Sequence, residues 1–205
     1  MATTTDPQAP HTKTAGVILA GGRATRMENR DKGLVVYNGH PLVSYAIAAL
    51  TPAASPLYIN ANRNLAHYRQ FGHPVITDPT DSYDGPLAGV LAAIAQATTE
   101  HLLVMPCDCP LITAKHSQKL LQCHITTQAD VTVAFDGQHL HAVFFAVRTS
   151  LRESLSQFLA SGQRKVGSWL AQQTMARADF SDEPEIFTNI NSLHDLAHLE
   201  ARDAP

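Results

Sequence analysis

Short, largely apolar runs recur along the chain, and each gives way to a polar or glycine-containing turn. The first, Val17-Ile18-Leu19-Ala20, leads into Gly21-Gly22. Leu57 to Ala61, Pro74 to Thr77 and Leu102 to Met105 follow the same plan, reaching Asn60, Asp78 and Pro106-Cys107-Asp108. Apolar runs this short, bounded by turn residues, suit strands buried on both faces, the environment of a parallel sheet. Between them the spacing turns helical. Leu42, Tyr45, Ala46, Ala49 and Leu50 share a face behind Pro41, which suits a first helical turn, and Pro52 and Pro56 close that helix. A short helix through Tyr68 follows, and Leu87, Val90, Leu91 and Ile94 mark another behind Gly85-Pro86.

The second half continues the alternation. Thr113 is placed to cap a helix through Ile125. Residues 131–135 and 142–147 flank Asp136-Gly137 as antiparallel strands, joined by a loop longer than a minimal hairpin. Helices are predicted around 151–159 and 166–172, and Ser192 with Asp195 forms a capping-box pattern for a last helix ending near Ala201. Near the front, 34–37 reads as a short extended piece ending in the turn Asn38-Gly39. Strands alternating with helices predict an α/β fold: a Rossmann-like domain with a mostly parallel sheet and helices on both faces. It is expected over 14–205, behind a disordered tail of residues 1–13 that lacks the apolar core of a signal peptide.

Composition narrows the function. The chain has 205 residues, 44% of them hydrophobic and 16% charged, and a formal charge of −3. That balance argues against a general nucleic-acid or membrane-surface binder. No apolar run approaches the ~20 residues that span a bilayer, so the cytoplasm is the expected location. Cys107, Cys109 and Cys123 are an odd set expected to be reduced, with Cys107 and Cys109 packing rather than binding metal. The eleven histidines are scattered; His139 and His141 alternate, but two histidines make an incomplete metal site.

The chemistry gathers where strands end, which is where open α/β sheets bind ligands. Gly21-Gly22 alone is a turn. Arg23, Arg26 and Lys32 beside it make it a place for a polyphosphate, although neither the P-loop nor the dinucleotide-binding glycine spacing is present. Asp108, rigidly flanked by Pro106 and Pro110, is a natural Mg²⁺ ligand, because Mg²⁺ takes one or two carboxylates together with waters and substrate phosphates. Asn60, Asn62 and Asp78 admit two readings, turn chemistry or contacts to a base or ribose. Asn189 and Asn191 straddle Ile190 and point one way on extended backbone. Arg164 and Lys165 either hold a second anion or form a solvated helix start.

These pieces, Leu19-Ala-Gly-Gly22, Arg26-Met27, Asp31-Lys-Gly-Leu34, Asn60-Ala-Asn62, Asp78, Gly85-Pro-Leu-Ala-Gly89, Pro106-Cys-Asp-Cys-Pro110 and Asn189-Ile-Asn191, stand in order along the chain. Over residues 14–202 the chain resembles the molybdenum cofactor guanylyltransferases, the MobA family. The resemblance implies GMP transfer from GTP to the terminal phosphate of Mo-molybdopterin, with Mg²⁺ as cofactor and pyrophosphate released. It places Leu19, Ala20 and Gly21 on the nucleotide, Lys32 on its phosphates, Asn60 and Asp78 on guanosine, and Asp108 on Mg²⁺. Gly22, Arg26 and Gly89 become further active-site positions, with Arg26, Lys32 and Asp108 catalytic. Arg164, Asn189 and Asn191 fall nearer the pterin. Other cofactor-biosynthesis proteins and apo-molybdoenzymes are the further partners it implies.

Two departures stand out. The family usually has glycine after Arg-Met, where this chain has Glu28-Asn29-Arg30, so Glu28 must point away from phosphate or pair with an arginine. It also tends to carry His-Pro after the hairpin, where this chain has His141-Ala142. The competing readings are a cytidylyltransferase using CTP, a sugar-phosphate nucleotidyltransferase, and a GTP-binding chaperone that delivers cofactor. Cytidylyl relatives usually have a serine-rich stretch in place of Gly85 to Gly89. The chain lacks an obvious extra sugar-binding region, and pure binding would not require both Lys32 and Asp108.

Overall fold

The computed structural model describes residues 14–21, 31–79 and 85–203. In chain order the elements are β1 (Thr14–Leu19), a hairpin of β2 (Val36–Tyr37) and β3 (His40–Pro41), α1 (Leu42–Leu50), β4 (Leu57–Asn60), α2 (Leu65–Arg69), β5 (Val75–Ile76) and α3 (Pro86–Gln96). There follow β6 (His101–Pro106), α4 (Ala114–Thr127), β7 (Val131–Phe135), β8 (Leu140–Arg148), α5 (Arg152–Ala160), α6 (Val166–Leu170), β9 (Met175–Asp179) and α7 (Leu193–Asp203).

Seven strands form the main sheet in the order β5-β4-β1-β6-β8-β7-β9. Only β8 runs against its neighbours. From β1 the chain steps to β4 and β5 on one side, then crosses back to β6 on the other. The order therefore reverses between β1 and β6, and that crevice is where such sheets take ligands.

The continuous apolar runs are explained by burial on two faces. Ile18, Leu103, Met105 and Phe144 pack with Leu50 of α1 and Leu120 of α4. Their neighbours Val17, Leu102, Val104 and Phe145 pack on the opposite side with Leu87 of α3, Leu155 of α5 and Trp169 of α6. Successive strand residues thus feed different cores. A third, smaller cluster of Val35, Tyr37, Leu42, Ile190 and Leu199 joins the hairpin to α7.

Three local expectations change. Leu34 belongs to a single 3₁₀ turn, Lys32–Leu34, not to extended chain. Pro41 pairs with Val36 in the hairpin, and the helix begins one residue later. The edge strand β9 was not expected, because only Ala178 of its five residues is buried. Backbone pairing with β7 forms it rather than an apolar pattern of its own. Cys107 and Cys109 are buried free thiols.

At the opposite end of β6, His124 of α4 is 1% exposed. Its Nε2 lies 3.2 Å from His101 Nδ1, and its Nδ1 lies 3.0 Å from Thr132 Oγ1. Burial, then the neighbouring His101 and Arg148, lower its pKa from 6.5 to about 4. Below the unfolded value of 6.5 the unfolded chain binds a proton that the folded chain refuses, so stability falls as pH drops toward about 4. The expected loss across that window is about 3 kcal/mol from this group. Urea midpoints between about pH 7 and pH 4.5 measure it. His124→Gln should flatten the slope, and an equally steep fall in that variant would refute the assignment.

Candidate active site

The strands deliver their ends at one level. Ala20 N–H donates to the carbonyl of Asn60 (2.8 Å), and Cys107 N–H donates to that of Leu19 (3.2 Å). Gly21, Asn60, Asp78 and Asp108 therefore emerge along the same edge of the adjacent parallel strands β5, β4, β1 and β6.

Lys32 is the hub of a first cluster. Its Nζ lies 3.1 Å from Asp108 Oδ2 and 2.5 Å from Asn191 Oδ1. The turn that carries it is anchored by Asp31, which is 7% exposed. Asp31 accepts from the Tyr68 hydroxyl (2.6 Å) and Asn64 Nδ2 (3.0 Å), with Arg63 Nε at 3.4 Å. This anchor escaped the sequence reading; the Asp-Lys-Gly triplet drew attention to Lys32, while Tyr68 stood only as the end of a short helix.

Asn191 reaches the cluster from beyond β9. Ile190 N–H donates to the backbone carbonyl of Asp108 (2.9 Å), and the Ile190 side chain is fully buried against the third cluster. Asn191 N–H donates to Asp195 Oδ2 (2.9 Å), and Asp195 N–H donates to Ser192 Oγ (3.1 Å). The expected capping pair thus also holds the segment that presents the amides. Asn189 sits on the same side and accepts from the Cys109 thiol. Burial, then the negative charge of Asp108, raises the pKa of that thiol well above its usual range.

A second cluster lies across β1. Asn60 Nδ2 donates to Asp78 Oδ1 (2.9 Å), Asn62 Nδ2 donates to Asp78 Oδ2 (2.7 Å), and Asp78 N–H donates to Asn62 Oδ1 (2.9 Å). Asn62, balanced between two readings in the sequence, is part of this unit. Gly21 stands over it: a Cβ there would meet Asn62 Nδ2 at 3.0 Å. Gly89 of α3 is tighter still, since a Cβ would fall 2.2 Å from Asn60 Oδ1 and 3.0 Å from Leu19 Cδ2. Gly89→Ala must push Asn60 off Asp78, an overpacking that costs about 1–3 kcal/mol. We expect the KM for nucleotide to rise about tenfold. Steady-state kinetics checks this, and an unchanged KM would show that Asn60 does not serve the nucleotide.

Arg164 and His141 have partners of their own. The Arg164 guanidinium donates to the carbonyls of Leu159 (2.7 Å) and Gln163 (2.8 Å). Its backbone oxygen lies 4.0 Å from where a Gly85 Cβ would stand. His141 stacks on Phe187 at 3.6 Å and lies 2.8 Å from Asp136, whose carboxyl pKa is lowered by the backbone N–H groups of His139 and Gln138 and then by His141. Gly22, Arg26 and the Glu28-Asn29 departure lie outside the described residues, as do Arg23 and the tail of residues 1–13.

Among the described residues no group of three or more His, Cys, Asp or Glu surrounds a metal position. The donor set fits Mg²⁺ nonetheless. Asp108, with a side chain 16% exposed, offers one hard carboxylate at the crevice. Mg²⁺ commonly completes its shell with waters and substrate phosphates rather than an all-protein cage.

The sheet is mixed, with its switch point beside β1 and a lysine–aspartate pair at that point. Residues 16–178 match the family described as the MobA-like NTP transferase domain, and the chain belongs to it. It is 43% identical over 176 residues to a molybdenum cofactor guanylyltransferase of Shewanella sediminis, covering 86% of this chain and 90% of that protein. A protein of the same name from Shewanella loihica is 42% identical over the same shares. Among solved structures, the molybdopterin-guanine dinucleotide biosynthesis protein A of Archaeoglobus fulgidus superposes with a TM-score of 0.78 at 18% identity, covering 92% of this chain and 98% of that one. A CMP:2-keto-3-deoxy-manno-octonic acid synthetase solved with CTP gives 0.73 at 12% identity, covering 94% and 98%, a likeness of fold alone.

Proposed function

We propose that the chain transfers GMP from GTP to the terminal phosphate of Mo-molybdopterin in the cytoplasm, forming molybdopterin guanine dinucleotide and pyrophosphate. The observation that carries this reading is the placement of Lys32 between Asp108 and Asn191 at the switch point. One cation there can serve both anionic substrates. The names and extents of the Shewanella relatives support guanine and the pterin acceptor.

The acceptor phosphate attacks the α-phosphorus of GTP in line; a new P–O bond forms, and the α–β bridging bond breaks with its electron pair leaving on pyrophosphate. The attacking oxygen is already anionic, so no protein base is required. What remains is to bring two anions together and offset the charge that gathers on the phosphoryl oxygens. Lys32 does this with its ammonium, and the N–H groups beyond β1 approach the phosphates closely at Gly21. Asn60, Asn62 and Asp78 hold the nucleoside, with Leu19 and Ala20 beneath it and Gly89 leaving the room that Asn60 needs. Asp108 would hold Mg²⁺, which when bound neutralises the triphosphate and polarises its α-phosphorus. Asn189 and Asn191 present amides to the acceptor, and Gly22, Arg26 and Arg164 complete the assignment. Cofactor-biosynthesis proteins and apo-molybdoenzymes are the proposed partners for handing the product on.

Incubation with each labelled nucleoside triphosphate, Mg²⁺ and Mo-molybdopterin tests the proposal by pyrophosphate release. Release with GTP that depends on the acceptor is expected. Release with CTP instead would indicate a cytidylyltransferase. GTP binding without release would indicate a delivery chaperone.

A further inference from the structure

The two acceptor-side asparagines are held by donors, and the donors decide which way each amide faces. An ammonium group can only donate, so the side of Asn191 facing Lys32 must be its carbonyl oxygen. Asn189 turns the same atom, Oδ1, to the Cys109 thiol. Neither Nδ2 has a hydrogen-bond partner among the described residues. Each amide therefore keeps two N–H donors unspent, on the side away from its holder. A reversed amide would show an oxygen lone pair to an incoming phosphate and repel it.

Cys109 is well placed for this task. It is 5% exposed and belongs to the same core cluster as Phe144, Phe187 and Ile112. It also follows Asp108 directly, so the backbone that presents the carboxylate presents the thiol. Asn189 itself is exposed and extended, with no secondary structure to fix its side chain. Its recorded side-chain contact is Cys109.

We infer that Cys109 is a positioning residue: its S–H fixes the Asn189 amide with the N–H pair turned toward a phosphate monoester on the acceptor, as Lys32 fixes that of Asn191. The inference rests on the proposed reading of Asn189 as an acceptor contact. It assigns the thiol a role beyond the packing expected from the sequence. The thiol also lies 3.9 Å from Asp108 Oδ1, farther than from the Asn189 amide, and undergoes no covalent change.

The test is a kinetic split. Cys109→Ala should raise the KM for Mo-molybdopterin about five- to tenfold, leaving the KM for GTP unchanged. Cys109→Ser, whose hydroxyl donates in the same place, should recover most of the loss. In an Asn189→Ala background, Cys109→Ala should add nothing further. A purely packing thiol behaves otherwise: Cys109→Ser would be no better than Cys109→Ala, both KM values would move together, and the effect would persist without Asn189. Any of those results overturns the positioning role. If Asn189→Ala itself leaves the acceptor KM unchanged, the reading of Asn189 fails and takes this role with it. If Asn189→Ala raises that KM while Cys109→Ala does not, only the positioning role falls.

Discussion

Asp108→Asn is expected to lower turnover about 10²–10³-fold while the chain still folds. The backbone carbonyl of residue 108 accepts from Ile190 N–H whatever the side chain, so the closure of the site over β6 survives the change. Asparagine also fits the same space, and its amide oxygen can still receive the Lys32 ammonium. What it lacks is the negative charge that would hold a divalent cation against the triphosphate. The loss should therefore appear mainly in kcat, and raising Mg²⁺ should recover little of it. Turnover near that of the parent protein at saturating Mg²⁺ would sink the metal role of Asp108, and a lowered thermal midpoint would point to folding as the cause.

Lys32→Ala should cost about 10²-fold in kcat/KM, shared between weaker GTP binding and slower transfer. The Lys32–Asp108 pair is 24% and 16% exposed, so solvent screens it and little stability goes with it. The loss is one of function: the loop keeps its Asp31 anchor while the cation is gone. Lys32→Arg should not restore full activity, because a guanidinium is broad and planar where the ammonium fits as a point charge between Asp108 and Asn191. Pre-steady-state kinetics separates the two effects. Unaltered binding and transfer in Lys32→Ala would remove Lys32 from the phosphate site.

Much of the architecture was legible because the buried strands carry their own signal. Residues 17–20 and 102–105 are apolar without interruption, 57–61 is broken only by Asn60, and the fold buries both sides of each. β9 was illegible for the opposite reason, being an edge strand of mostly half-buried or exposed residues formed by pairing with β7. At the site, the sequence could flag Lys32, Asp108 and Asn191 as polar residues in turns. It could not bring together positions 159 apart, as Lys32 and Asn191 are, without the family resemblance. The Asp31–Tyr68 anchor and the Cys109–Asn189 contact joined residues whose readings were separate: a turn with a short helix, and a packing thiol with an amide on extended backbone. Gly89 was expected near the nucleotide by resemblance; its close approach to Asn60 gives that expectation a steric reason.

The bond from Ile190 N–H to the carbonyl of Asp108 also divides the chain by task. Every described residue assigned to the donor nucleotide lies at or before Asp108, inside the span 16–178 that matches the family domain. Asn189 and Asn191 lie beyond that span and reach the donor half through this short strip of backbone and the Lys32 side chain. Under the proposed assignment, the described nucleotide contacts end at Asp108, and the acceptor contacts follow it in the chain, Arg164 inside the domain span and Asn189 and Asn191 beyond it. A lineage could then alter its acceptor contacts by rewriting the chain that follows Asp108, keeping that residue as the fixed seam against which each new closing segment docks.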